Sequence, residues 1–200
     1  MTIKAIILDT ETTGLNLPQV IEMAYMPIND DININPQAVV SERFMPRKMI
    51  EAEAVAIHGI YDLDLIGKPD TGSIISVMPL VAKVEYIIGH NIEYDVGAIG
   101  NSTSVAYSFK GICTKRLAVN AYPQERSHKL TRLVERFLKQ EAEDYIGDAH
   151  SAKADVVMCG LLLKHIARTL SERDNKPYTL DDLYELSIRA DYNTYGRQQA

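Results

Sequence analysis

Apolar positions fall into short runs near the N-terminus and into helix-spaced stripes further on. Residues 3–8 are rich in isoleucine and lead toward Gly14, which predicts a strand. Residues 20–28 and 39–44 predict two more strands, with Pro27 and Pro46 near their ends. Three strands in succession suggest an antiparallel meander. Residues 52–57 and 74–83 read as helical, and 84–88 is nearly all apolar, as a strand buried on both faces is. Asn91 is placed to cap a helix over 92–99. Residues 101–108 read as loop and 111–114 as a short last strand. Helical spacing returns at 115–121, 130–140 and 151–170. Thr179 with Asp182 has the form of a capping box opening a helix over 180–190, and the polar tail after Tyr192 reads as loose. The sum is an α/β chain, with strands first and then strands alternating with helices.

Against this pattern, acids stand in three places where apolar residues belong. Asp9 and Glu11 continue the first strand, and side chains two apart share a face, here that of Ala5 and Ile7. Unpaired buried charges cost several kcal/mol each, and a hard divalent cation removes the repulsion. The plainer alternative is a strand end fraying into water. Asp95 shares a helical face with Ile92 and Ile99, although an acid early in a helix also serves simply to favour its N-terminus. Asp155 opens a helix that is apolar almost all round from Ala154 onward. His150 lies five residues earlier, about 140° away if helical, so it meets Asp155 only from the preceding loop or first turn. A loop histidine suits a proton acceptor near neutrality. His128 and His165 read as ordinary surface side chains.

The 200 residues fit one domain over 1–170, with 171–200 as a C-terminal helix and tail, joined to it or loosely attached. No apolar run reaches the length of a membrane span, and the N-terminal run ends at acids rather than at a small-residue cleavage site. Cys113 and Cys159 lack a metal-like spacing, which suits a reducing cytoplasm. The net charge of −6 counts against a polyanion partner. Two bound divalent cations would bring it to about −2. Carboxylates without a cysteine pattern point to magnesium or manganese.

One reading of these acids resembles the haloacid-dehalogenase-type phosphotransferases, through Asp9-Thr10-Glu11 and Gly147-Asp148 with Asp155. It leaves Asp95 and His150 without a task. DTETTG (9–14), HNIEYD (90–95) and HSAKAD (150–155) together resemble the three motifs of the DEDDh family of 3′–5′ exonucleases, in order and in internal spacing. VIEMAY (20–25) and AVAIHGI (54–60) look like that family's second strand and His-Gly-Ile segment. ICTKRLAVNAYP (112–123) resembles its exonuclease X type, and the superfamily also includes proofreading subunits of replicative polymerases.

The resemblance implies a ribonuclease H-like mixed five-stranded sheet, an antiparallel meander plus parallel strands, flanked by helices. It implies Asp9, Glu11, Asp95 and Asp155 as ligands of two divalent ions, Mg2+ or Mn2+, and His150 as general base. The activity implied is hydrolysis of the last phosphodiester at a 3′ end of single-stranded DNA, with RNA as the alternative. Backbone amides at Thr12 and Thr13 would hold the 3′ hydroxyl, and Leu15 with Ile57 and His58 would pack on the terminal nucleotide. For Leu15, plain core packing is the alternative. Tyr94 stands where the family often has phenylalanine, keeping an aromatic beside the substrate and adding a hydroxyl. The basic stretch Arg126, Lys129, Arg132 and Arg136 could line a single strand, though such runs are more often solvated helix faces. No membrane partner is implied, and a homodimer or a polymerase association stays open. A non-catalytic module that binds 3′ ends is the remaining alternative, and the presence of all five chemical residues counts against it.

Overall fold

The structure is a computed structural model that describes residues 3–105, 109–147 and 150–196, with side chains through 189. Asp148, part of the expected loop (106–108) and the last four residues of the tail lie outside the described residues.

Five strands, β1 (Ala5–Thr12), β2 (Val20–Ile28), β3 (Val40–Arg43), β4 (Tyr86–Gly89) and β5 (Lys110–Cys113), form one sheet in the order β3-β2-β1-β4-β5. β1 to β3 are the antiparallel meander, and β4 and β5 extend the sheet in parallel beyond β1. β1 does not stop at Leu8. Asp9 pairs with Ala24 and Glu11 with Glu22, and the register slips only between Glu11 and Thr12. A fully paired neighbour on one side is what carries the strand through two acids.

Among the described residues eight α-helices flank the sheet: α1 (Ala52–His58), α2 (Ile74–Val77), α3 (Ile92–Thr103), α4 (Thr114–Ala121), α5 (Leu130–Phe137), α6 (Glu143–Ile146), α7 (Ala152–Asp174) and α8 (Leu180–Gly196). The single helix expected over 74–83 is broken. Pro79 opens a separate 3-10 turn over Pro79–Ala82, since proline cannot donate to a preceding turn. Asn91 does not cap α3 with its side chain; it turns the chain with a left-handed backbone, φ 80°. α3 runs on to Thr103, and α8 runs on to Gly196 through the stretch expected to be loose. The capping box is made: Asp182 N–H donates to Thr179 Oγ1 at 3.2 Å and Thr179 N–H to Asp182 Oδ2 at 3.0 Å.

The alternation of β1 divides the core. Ala5 and Ile7 pack with Met26, Ile88 and the apolar face of α7, while Ile6 and Leu8 pack with Met23, Ile87 and α3. α7 lies very close to the sheet at Gly160, where a Cβ would come within 3.0 Å of Ile7 Cδ1 and 2.9 Å of Met26 Cε. α8 packs on β5 and α4, buries Leu180 and Leu183, and its buried Ser187 Oγ accepts from Cys113 N–H at 3.0 Å. Among the described residues no helix is long and apolar enough to cross a membrane.

His128 and His165, expected to be ordinary surface side chains, join His90 in a set of contacts within the fold. His90, just beyond β4, donates from Nε2 to the His128 carbonyl at 2.8 Å, and its Nδ1 lies 2.9 Å from Thr114 Oγ1. His128 donates in turn from Nε2 to the Tyr122 carbonyl at 3.0 Å, and His165 stacks with Tyr122 and Phe137. Burial pushes the His90 pKa down to about 4, so the ring stays neutral in the fold.

Replacing His90 by Ala should destabilise the protein by about 1–3 kcal/mol in denaturant titrations at neutral pH. The unfolded ring protonates at its ordinary 6.5 and the folded ring only near 4. The stabilisation is therefore complete above about 6.5 and is lost as pH falls toward about 4, so the gap between wild type and variant should narrow over that window.

Candidate active site

The site is built where β1 leaves the sheet. Asp9 and Glu11 lie on the Ala5–Ile7 face of β1, toward α7, with Asp9 half-buried and Glu11 buried. Ser151 caps α7, its Oγ accepting from Ala154 N–H at 3.4 Å, and this cap places Asp155 in the first turn. One carboxylate oxygen from each of Asp9, Glu11 and Asp155 lies within 4.8 Å of the others. Thr10 points to the opposite face and fastens the fourth acid. Its N–H and hydroxyl donate to Asp95 Oδ1 at 3.0 and 2.7 Å. β4 pairs with β1 only over Ala5–Ile7, so the strand edge at Thr10 is free to take a side chain from α3.

Crowding of these acids is visible in their ionisation. Burial, then Asp95, Asp155, Glu11 and Glu22, holds the Asp9 carboxyl well above the usual range. Burial, then Asp155, Glu22 and Asp95, pushes Glu11 up to about 8. Burial raises Asp95 to about 7 against the opposing hydrogen bonds of Thr10. Asp155 is also raised by burial, opposed by the charge and backbone N–H of His150. Glu22, which the sequence reading did not single out, sits opposite Glu11 in the register and is paired with Arg43 Nε at 3.0 Å. Asp155 Oδ1 is buried and has no hydrogen-bond partner among the described residues. An orphaned buried oxygen beside two further carboxylates suits a divalent cation, for which hard oxygen ligands are the usual donors.

His150 precedes the cap of α7, so the helical offset from Asp155 does not apply. It is exposed, with a left-handed backbone of φ 73° that frees its N–H toward Asp155.

Next to the acids lies a cavity of about 580 Å³. Its walls include Thr12, Leu15, Ile57, His58 and Tyr94, with Glu51, which the sequence reading missed. Leu15 is 84% exposed, which overturns its reading as core packing. His58 accepts from Ile60 N–H at Nδ1 (3.0 Å), leaving Nε2–H to donate to the Thr12 carbonyl at 3.2 Å. The Tyr94 hydroxyl meets Thr12 Oγ1 at 2.7 Å and donates to the Gly14 carbonyl at 2.9 Å. Thr13 departs from expectation. It is fully buried, does not line the cavity, and its N–H already donates to Gln19 O at 2.9 Å, so that amide has nothing to offer a substrate. Of the basic stretch, Arg132 pairs with Glu135 at 3.3 Å and Arg136 with Glu125 at 3.8 Å, and with Arg126 they line a separate polar cavity of about 500 Å³.

Comparison with known proteins bears on this geometry. A family model described as Exonuclease (RNase_T) matches residues 6–163. DNA polymerase III subunit epsilon of Buchnera aphidicola subsp. Schizaphis graminum is 33% identical over 111 residues, 51% of this chain and 46% of that protein. Its counterpart from B. aphidicola subsp. Acyrthosiphon pisum is 30% identical over 126 residues, 60% of this chain and 49% of that protein. The chain thus spans about half the length of these relatives. Among solved structures, Exonuclease X in complex with 5′ overhanging duplex DNA has a TM-score of 0.72 at 24% identity, covering 92% of this chain and 99% of that one. E. coli Exonuclease I in complex with a dT13 oligonucleotide has a TM-score of 0.67 at 16% identity, covering 86% and 42%. These likenesses show the ribonuclease H-like fold.

The acids make a stability prediction. Glu11 ionises near 4.5 when unfolded and near 8 in the fold. The unfolded state gives up its proton first, so the chelator-treated protein should lose stability as pH rises through that window. Adding Mn2+ or Mg2+ should raise the melting temperature most at the alkaline end. Asp9→Asn removes one of the crowded charges. It should raise the melting temperature of the chelated protein near pH 8 by about 3 °C and abolish most of the metal-induced shift.

Proposed function

The chain belongs to the exonuclease family, and from that premise we propose that it hydrolyses the terminal phosphodiester at the 3′ end of single-stranded DNA, releasing nucleoside 5′-monophosphates. The observation that carries this reading is the meeting of Asp9, Glu11 and Asp155 at one end of β1, with Asp95 tied behind them and a nucleotide-sized cavity alongside.

Asp9, Glu11 and Asp155 would hold the metal, with Asp95 completing the acidic set, and the all-carboxylate donors favour Mg2+ or Mn2+. Two divalent cations, when bound, supply the Lewis acidity that activates the attacking water and neutralises charge at the departing 3′ oxygen. The remaining work falls to the chain. His150 takes the proton of the attacking water as its oxygen bonds to phosphorus. The bond from phosphorus to the 3′ oxygen breaks, that oxygen leaves as a hydroxyl on taking a proton from solvent, and His150 returns its own proton to solvent. The left-handed turn at His150 leaves its side chain exposed two residues before α7, where it can swing toward the acids. Leu15, Ile57, His58 and Tyr94 present apolar and aromatic surface to the terminal nucleoside without reading its base, and Thr12 shapes the inner wall. The curated relatives are named as polymerase subunits, which supports a cytoplasmic role beside a polymerase.

The test is incubation of a 5′-labelled single-stranded oligodeoxynucleotide with the protein and Mn2+ or Mg2+, with RNA of the same sequence in parallel. The expected result is a ladder shortened from the 3′ end with mononucleotide products, faster on DNA. Asp9→Ala should abolish it, and His150→Ala should slow it by about 10²–10⁴-fold. DNA bound but left intact would mark a binding module, and turnover of a phosphomonoester through a phosphorylated Asp9 would point to phosphatase chemistry; either defeats the reading.

A further inference from the structure

Glu51 stands at the N-cap position of α1, yet its carboxylate makes no bond to its own helix. It reaches across to the loop that leaves β1. Leu15 N–H donates to Glu51 Oε2 at 3.2 Å, and Glu51 N–H donates back to Thr13 O at 2.8 Å. The carboxylate fills the space that a side chain at position 14 would need. A Cβ there would come within 2.0 Å of Oε2, and φ of +139° already favours glycine. Lys48 steadies the arrangement, with Nζ 3.6 Å from Glu51 Oε1 and donating to the Asn16 carbonyl at 2.6 Å. From the opposite wall, Tyr94 holds the Gly14 carbonyl.

The result is an unusual division of labour within one short loop. Its backbone is bonded on both sides, while the Leu15 side chain stands 84% exposed at the rim of the cavity. Leaving a leucine in water gains nothing for folding, so fixing its backbone this firmly is best explained by what the side chain must meet. We propose that Glu51 is a positioning residue, which sets the Gly14–Leu15 backbone so that the Leu15 side chain is held over the terminal nucleotide. The proposal rests on the nuclease reading above. Because Glu51 acts through Leu15, it governs the grip on the 3′ end and not the hydrolytic step.

Steady-state kinetics on a single-stranded oligodeoxynucleotide with Mg2+, joined to amide hydrogen exchange at Leu15, test this in wild type, E51A, E51D and E51Q. E51A should raise KM about tenfold with kcat within about twofold, and should speed exchange of the Leu15 amide. E51D keeps the charge but falls short of Leu15, so it should share both defects. E51Q retains an acceptor oxygen at the right reach and should recover most of the loss. A wild-type KM in E51A overturns the proposal, as does an E51Q as impaired as E51A at equal melting temperature. Should E51A fail to fold, a wild-type KM in E51D overturns it instead. If the wild-type protein releases no mononucleotide, the nuclease reading falls by itself; the exchange data still speak, since an unprotected wild-type Leu15 amide overturns the clasp.

Discussion

Like charges repel most where water is scarce, and Asp9, Glu11, Asp95 and Asp155 converge at such a place. Burial is the first cause of the raised pKa of every one of them. The fold tolerates the arrangement in three ways. Thr10 spends two hydrogen bonds on Asp95, Arg43 neutralises Glu22 behind Glu11, and the backbone N–H of His150 turns toward Asp155. What remains uncompensated, including the orphaned oxygen of Asp155, is the charge that a cation would take up.

The sheet makes this possible by geometry alone. Period-two alternation along β1 sends Asp9 and Glu11 toward α7 and Thr10 toward α3. Acids from separate helices therefore approach the same strand from its two faces. The close seat of α7 at Gly160 keeps its first turn at a fixed height above β1, and Asp155 with it.

Much of this was legible in the amino-acid pattern, and the omissions have common physical causes. β2 matches its expected bounds because a long apolar run with a proline near its end is a strong signal. The Thr179–Asp182 box is made because its chemistry is local. β1 was read too short because apolarity ends at Leu8, whereas pairing with β2 does not. α6 was missed because it is a short turn without periodicity. The acids were found because a charge on an apolar stripe stands out. Glu51 and His90 were not, since a glutamate near a helix start and a histidine after a strand look ordinary until their distant partners, Leu15 and His128, come into view. Thr13 shows the converse: proximity in sequence to the acids said nothing of its amide being taken by Gln19.

β5 ends the sheet on one side, and an outermost strand offers its free backbone groups to any passing chain. α8 lies along that border, and the hydroxyl of Ser187 occupies the Cys113 amide that would otherwise be available for strand addition. The C-terminal helix thus acts as a hem on the sheet: without it, this border would be open to recruitment of a second sheet.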